Sequence, residues 1–278
     1  MIHLGLIGYP LGHSLSPKIQ AAALQACGLS GDYSLFPISP DDMEELSALL
    51  NRVRAAELTG LNVTIPHKQN IIPLLDGLTE TAKIIGAVNT ISLREGRLIG
   101  DNTDAPGFLS DLQHFLVSGG FPLESPKSAL VLGAGGSARA VVYALASSGW
   151  QVSVAARRPE QAREFLDQST AQVTLHSFSD LTALDLSGYA LIVNTTPLGM
   201  SPNPDFSPWP NGLPFPRGAF VYDLVYNPRE TLFVKQARAA GLPATTGLGM
   251  LIGQARLAFE IWTGCQPPRE PLFQAVAA

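Results

Sequence analysis

Residues 129–140, ALVLGAGGSARA, constrain the chain more than any other stretch: an apolar strand-like run, a glycine-rich turn, then the start of a helical pattern. Gly133, Gly135 and Ala138 hold the spacing G-x-G-x-x-A. In a strand–turn–helix the first glycine allows the tight turn, and the second lets the backbone approach a pyrophosphate. The third small residue permits close helix–strand packing. Free N–H groups at the helix start then face phosphate oxygens, so this turn is expected to bind a dinucleotide. An NAD site has an acid about 20 residues on, at the end of the second strand. Here that strand pattern ends Ala156-Arg157-Arg158 instead. Guanidinium groups match a phosphate through paired hydrogen bonds, which makes NADP the expected cofactor.

Strand and helix patterns alternate around this motif. Before it come strands at 3–8, 32–38 and 60–64, helices at 16–28 and 40–56, helical turns through 79–86, and a hairpin of 87–93 with 97–102. A helix is expected over 104–116, and Ser16 reads as the N-cap of the first helix with Pro17 at its first position. Residues 117–128 are the best linker candidate, with two Gly, two Pro and three Ser. The alternation then resumes through strands at 150–156, 172–177, 190–196 and 219–226 and helices at 229–241 and 248–264. Seven prolines between 197 and 216 make that stretch irregular. Alternating βα units point to an α/β chain with a doubly wound parallel sheet in at least its second half.

The length of 278 residues suggests two domains. A net charge of −5 argues against nucleic acid or an anionic membrane as partner. The start, MIHLGLIGYP, lacks the basic and long apolar parts of a signal peptide, and no stretch is apolar enough for a membrane span. Cys27 and Cys265 form no disulfide framework and no metal spacing, and a reducing cytoplasm suits them.

Four polar clusters fall at ends of elements in the first hundred residues: YPLGHSLSP, NVTIPHK, GAVNT and GDNTD. They supply Ser14, Ser16, Asn62, Thr64, Lys68, Asn89 and Asp104. Hydroxyls and amides dominate, which suits a small polyhydroxylated ligand.

With these clusters, GAGGSARA, NTTPLGM, YNP and the final GLGML-x-x-Q, the chain resembles the shikimate dehydrogenase family over nearly its whole length. The resemblance implies reversible, NADP-dependent reduction of 3-dehydroshikimate to shikimate, on the route to aromatic amino acids. It implies a substrate domain of residues 1–105 plus 246–278 and a Rossmann-type NADP domain of residues 106–245. It assigns Ser14 and Ser16, helped by Tyr226, to the substrate carboxylate, and Asn62, Thr64, Asn89, Asp104 and Gln254 to the ring hydroxyls. Lys68 and Asp104 become the catalytic pair. Gly133, Ala134, Gly135, Gly136 and Ser137 take the pyrophosphate, and Arg157 and Arg158 the 2′-phosphate. Leu224, Gly247 and Met250 take the nicotinamide end, with Glu80 also near the cofactor. The chain departs from the family at Ala156-Arg157-Arg158, where Asn-Arg-Thr is common.

Lys68 stands just past the strand end that Pro66 enforces. A lysine with an ordinary pKa near 10.4 is a poor base. As a cation it stabilises a developing alkoxide and gives a proton to a carbonyl. Two other functions fit parts of this pattern: a quinate/shikimate dehydrogenase, and a non-catalytic NADP-binding regulator, which would have no need for the Lys68–Asp104 pair. No metal is expected, and the protein is expected to be a monomer or homodimer.

Overall fold

The computed structural model describes residues 1–120, 127–166 and 173–277. The chain forms two compact units, one of Met1–Gly107 with Ile252–Ala278 and one of Phe108–Leu251. The sequence reading places the crossings at 105/106 and 245/246.

In the first unit, β1 (Ile2–Gly8), β2 (Gly31–Pro37), β3 (Gly60–Val63), β4 (Gly77–Leu78), β5 (Thr90–Arg94) and β6 (Arg97–Asp101) form one sheet in the order β2-β1-β3-β5-β6-β4. β1 lies parallel to both β2 and β3, so the strand order reverses direction there. β5 and β6 form the expected hairpin, turning at Glu95 and Gly96, both with positive φ. The first strand of that hairpin, β5, runs antiparallel to β3, with Asn62 opposite Thr90 and Thr90 opposite Asp101. Consequently the ends of β1, β3 and β6 and the start of β5 all emerge at one end of the sheet.

Local chemistry sets the helices. α1 (Ser16–Ala26) starts one residue earlier than the sequence suggests: Leu15 is the N-cap, and Ser16 makes no capping hydrogen bond. In α2 (Met43–Arg54) the Asp42 side chain accepts from Glu45 N, and Leu46, Leu49, Leu50 and Val53 form the buried stripe. The core joins that stripe to Ile7, Leu61, Val63, Ile91 and Leu98 of the sheet. Short helices α3 (His67–Asn70) and α4 (Glu80–Ile85) follow β3 and β4.

α5 (Asp104–Ser118) leads out of this unit. The second unit holds β7 (Ser128–Leu132), α6 (Gly136–Ser147), β8 (Gln151–Ala156), α7 (Pro159–Leu166), β9 (Val173–Ser177), β10 (Leu191–Asn194), β11 (Phe220–Asp223), α8 (Leu232–Ala239) and β12 (Ala244–Thr246). Every pairing is parallel, in the order β12-β11-β10-β7-β8-β9. This is the doubly wound arrangement, with its switch point between β7 and β10. Residues 197–218 carry neither helix nor strand. Of the expected linker, residues 121–126 lie outside the described residues, as does the first residue of the strand expected at 172–177.

α9 (Leu248–Thr263) brings the chain back to the first unit, where α10 (Arg269–Ala275) packs on α1. Within the first unit Trp262 donates its indole N–H to Ile91 O at 2.9 Å. A Cβ on Gly60 would overlap that indole ring, so glycine is what lets α9 lie against β3. The cysteines overturn their sequence reading. Cys27, which caps α1, and Cys265, just past α9, form a disulfide across 238 residues. Chain distance hid the pairing, because only the return of α9 brings the two together. Among the described residues no helix is long and apolar enough to cross a membrane.

Overpacking at such a contact costs about 1–3 kcal/mol. Gly60→Ala should therefore lower the urea midpoint of the first unit's transition by a corresponding amount. A midpoint equal to wild type would show that Trp262 repacks freely.

Candidate active site

Lys68 and Asp104 meet at the end of the first sheet. Pro66 caps α3, and Lys68 is its second residue; the Lys68 carbonyl accepts from Val88 N at 2.7 Å, tying this turn to the segment before β5. The Lys68 Nζ donates to Asp104 Oδ2 at 2.5 Å, and the side chains are only 10% and 7% exposed.

Asp104 is held on every side. Its Oδ1 accepts from Asn89 Nδ2 at 3.0 Å. Its backbone N–H donates to Asn102 Oδ1 at 3.1 Å, as does Ala105 N at 3.2 Å, so Asn102 caps the start of α5. Asn102 in turn donates to Ala87 O. Asn89 is the hub. Its Nδ2 faces Thr103 Oγ1 at 2.9 Å, Asp104 Oδ1, and Gln254 Oε1 at 3.3 Å, three acceptors for two hydrogens. Its Oδ1 accepts from Thr103 N at 2.8 Å and Thr90 Oγ1 at 3.0 Å. Gln254 reaches this hub because a Cβ on Gly107 would stand 2.7 Å from Gln254 N; the glycine permits the approach of α5 and α9.

Asn62 is oriented by its bond to a carbonyl. Nδ2 donates to Asn89 O at 3.1 Å, which leaves Oδ1 to accept from the Tyr33 hydroxyl at 2.8 Å. Tyr33, on β2, reaches across β1 to do so and also meets the Ser16 side chain. Burial pushes its phenol well above the usual range, so it stays a neutral donor. Ser14 accepts from Ser16 N at 3.3 Å, and both serines follow β1. Thr64 N donates to Ile7 O, placing Thr64 beside the end of β1. The structure thus brings Ser16, Asn62, Lys68, Asn89, Asp104 and Gln254 into one bonded cluster in the first unit, with Ser14 and Thr64 on its flanks.

The expected cofactor residues fall mostly in the second unit. Gly133 has φ +113°, and its N–H donates to Ala155 O. A Cβ there would stand 2.6 Å from Thr195 Oγ1, so only glycine fits at the switch point. Gly135 is the N-cap of α6 and supplies no side-chain cap, and a Cβ on it would meet nothing within 4 Å. Uncapped N–H groups facing open space suit a pyrophosphate. Ala134, Gly136 and Ser137 complete the turn. Ala156 ends β8, with Arg157 and Arg158 exposed just after it. Leu224 and Tyr226 follow β11; Gly247 follows β12, and Met250 lies in the first turn of α9. The Leu224 carbonyl lies so close to Gly247 that a Cβ would overlap it. Burial raises the Tyr226 phenol. Glu80 is the exposed first residue of α4 in the first unit, whereas the Gly133 turn belongs to the second.

Sequence reasoning missed Tyr33, Asn102, Thr103 and Asp223. Asn102 and Thr103 lie inside the GDNTD cluster and could have been read as a cap signal. Tyr33 and Asp223 sit in ordinary strand patterns and give no local sign. The Asp223 carboxylate is fully buried and pushed up to about 6 by that burial, against hydrogen bonds from Thr231, Val225 N and Asn194 that favour the charge.

A family profile described as the shikimate dehydrogenase substrate binding domain matches residues 6–91, and one described as the shikimate 5′-dehydrogenase C-terminal domain matches residues 247–276. The chain is 43% identical to the shikimate dehydrogenase (NADP(+)) of Geobacter sp. (strain M21), over 99% of this chain and 94% of that protein. Its structure is similar to that of the Thermus thermophilus shikimate 5-dehydrogenase in complex with NADP(H) and shikimate. The TM-score is 0.85 at 40% identity, over 99% of this chain and 98% of that one. It is also similar to quinate dehydrogenase from Corynebacterium glutamicum in complex with NAD, with TM-score 0.87 at 31% identity, over 99% and 98% of the two chains.

Asp223 links stability to pH. Between its ordinary value of 3.8 and about 6 the folded protein holds a proton that the unfolded chain has released. Stability therefore falls as pH rises through that window and is level above it, by about 3 kcal/mol in all. Urea unfolding at pH 4.5, 5.5 and 7 should show this slope in wild type and a shallower one in Asp223→Asn. Parallel curves for the two proteins would refute the linkage.

Proposed function

The chain belongs to the shikimate dehydrogenase family, and from that premise we propose that it catalyses the reversible, NADP-dependent reduction of 3-dehydroshikimate to shikimate. The observation that carries the reading is the Lys68–Asp104 pair, buried within a cluster otherwise made of neutral amides and hydroxyls. Bound NADPH supplies the hydride that reduces the ketone. What remains for the protein is to hold the ring, take up charge at the carbonyl oxygen and deliver a proton there.

The Lys68 ammonium suits both last tasks. It keeps hydrogens beyond the one given to Asp104, and a cation is most useful where negative charge develops. In reduction it gives its proton to the oxygen, and in oxidation the neutral amine takes it back. Asp104 Oδ2 holds the ammonium in place, while Oδ1 is aimed by Asn89. The hydroxyls of Ser14 and Ser16, with Tyr226, suit the substrate carboxylate.

Thr64, Gln254 and Asn62 suit the ring hydroxyls. Asn62 has both amide hydrogens within reach of protein acceptors, Asn89 O and Thr90 Oγ1, so its remaining offer is chiefly the free side of Oδ1. Asn89 commits its hydrogens to Thr103, Asp104 and Gln254, so a ring hydroxyl reaches it only in competition with them. The cofactor end follows the same logic. Gly133 to Ser137 take the pyrophosphate, and Arg157 and Arg158 the 2′-phosphate. Leu224, Gly247 and Met250 take the nicotinamide, and Glu80 is the residue with least support.

The place that goes with this reaction is the cytoplasm, where the Cys27–Cys265 bond stands against a thiol-reducing poise. Thiol alkylation in freshly lysed cells shows which state is populated.

Turnover of shikimate with NADP⁺ tests the function, with quinate as the competing substrate. An enzyme preferring quinate, or a protein without turnover, would replace this reading. Lys68→Ala should lower kcat by roughly 10²–10⁴-fold, the range for a lost acid/base group, with a much smaller change in the shikimate KM. A near-normal kcat would remove Lys68 from the chemistry.

Replacing Arg157 and Arg158 together by Ser should raise the KM for NADP⁺ roughly tenfold or more, the scale of lost charge-assisted hydrogen bonds. Use of NAD⁺ should stay nearly unchanged. Equal losses with both cofactors would point to a folding defect instead.

A further inference from the structure

Asp223 has no part in the reaction chemistry above, yet three turns of the second unit meet at its carboxylate. Oδ1 accepts from Asn194 Nδ2 at 2.7 Å and from Val225 N at 3.0 Å. Oδ2 accepts from Thr231 Oγ1 at 2.6 Å. Both oxygens are in use, and the side chain is wholly buried at the end of β11.

Two of these bonds lead to backbone packed against residues assigned above to the cofactor, and the third leads to a helix. Asn194 Oδ1 accepts from Thr196 N at 2.9 Å and Thr196 Oγ1 at 2.7 Å, which folds the chain back after β10. Thr195 and Thr196 are thereby laid over Gly133, where a Cβ would stand 2.6 Å from one and 3.0 Å from the other. On the other side, Val225 N fixes the peptide that follows Leu224, whose carbonyl packs on Gly247. Thr231 accepts from Val234 N and caps α8, anchoring the clamp to a helix.

We propose that Asp223 is a positioning residue for the dinucleotide: it clamps the turns at 194–198 and 224–226 and so fixes the cradle formed by Gly133, Leu224 and Gly247. The proposal rests on the NADP reading above. Asp223 touches neither cofactor nor substrate and acts only through the backbone it holds. Asparagine can take over the clamp, because Oδ1 still accepts from Asn194 and Val225 while Nδ2 donates to Thr231 Oγ1. Serine cannot, being too short to reach all three partners.

NADPH and shikimate are titrated separately by calorimetry into wild type, Asp223→Asn and Asp223→Ser, at a temperature where melting shows each protein folded. Asp223→Ser should weaken NADPH binding at least tenfold and leave shikimate within twofold, while Asp223→Asn stays within about threefold for both. A folded Asp223→Ser protein with NADPH affinity within twofold of wild type overturns the proposal. So does equal loss of both ligands, which marks a general structural role. Where Asp223→Ser does not fold, Asn194→Ser cuts the link to Thr196 and leaves the bonds from Val225 and Thr231 in place. It too should lose NADPH affinity selectively, and normal affinity in it is equally fatal. Wild type that binds no NADPH would overturn the cofactor reading itself.

Discussion

A buried ammonium and a buried carboxylate each lose several kcal/mol of hydration, and their mutual attraction offsets that only when the remaining lone pairs and protons are also satisfied. Asp104 meets that condition through its neighbours, while the Lys68 ammonium gives one hydrogen to Asp104 and keeps the others. Asn89 completes the carboxylate, Asn102 holds the peptide beneath it, and Val88 N holds the carbonyl of the lysine's own turn. None of these partners is adjacent to Lys68 in sequence. They arrive because β5 runs antiparallel to β3 and β6 antiparallel to β5, so the hairpin delivers its start and its finish to the same end of the sheet. A parallel connection would have carried one of the two clusters to the opposite end.

The second unit treats a buried carboxylate differently. The hydrogen bonds to Asp223 come from an amide, a hydroxyl and a backbone N–H, which are dipoles rather than cations. Dipoles offset desolvation incompletely, so the acidity of Asp223 drops. At Asp104 one partner is a full cation, the Lys68 ammonium. The contrast follows function. Under the roles proposed above, a full positive charge stands where the reaction develops negative charge, and neutral donors stand where turns have only to be held. Both arrangements stand beside a reversal of strand order: Lys68 follows β3, which borders the β1–β3 reversal, and Asn194, the partner of Asp223, ends β10, which borders the β7–β10 reversal. Diverging chain at such a point leaves a crevice that side chains can line.

Much of this was legible in the sequence because it depends on local rules. The Gly133 turn announces itself by spacing, and the structure adds the reason: Thr195 occupies the space that a Cβ would need. The four polar clusters stood out against an apolar background, and the hairpin between two of them carried its own turn signal. The first helix began a residue early because Leu15 took the cap, leaving the Ser16 hydroxyl to face Tyr33. Tyr33, Asp223 and the Cys27–Cys265 bond were illegible for a different reason. Each depends at least in part on a partner 29 or more residues away, or on strand order, and neither has a local signature. The apolar residues flanking Asp223 gave no hint that the residue between them was a buried acid with three donors.

The return of the chain at α9 follows from the same need for partners. Residues 1–107 contain Lys68, Asp104 and Asn89, but the Asn89 amide would lack Gln254, and β3 would lack the cover of Trp262. α9 supplies both from one helix, with Gln254 and Trp262 eight residues apart, which is just over two turns and so near one face. Close approach is built into both helices: Gly107 in α5 meets Gln254, and Gly253 in α9 would place a Cβ 3.1 Å from Gly107 O. Asp104 lies one turn before Gly107, so the glycine contact that seats α9 also fixes the height of the helix bearing the carboxylate. The disulfide then ties the far end of α9 to the end of α1, whose first turn holds Ser16. The C-terminal segment is therefore part of the scaffold on which the Lys68–Asp104 pair is aimed.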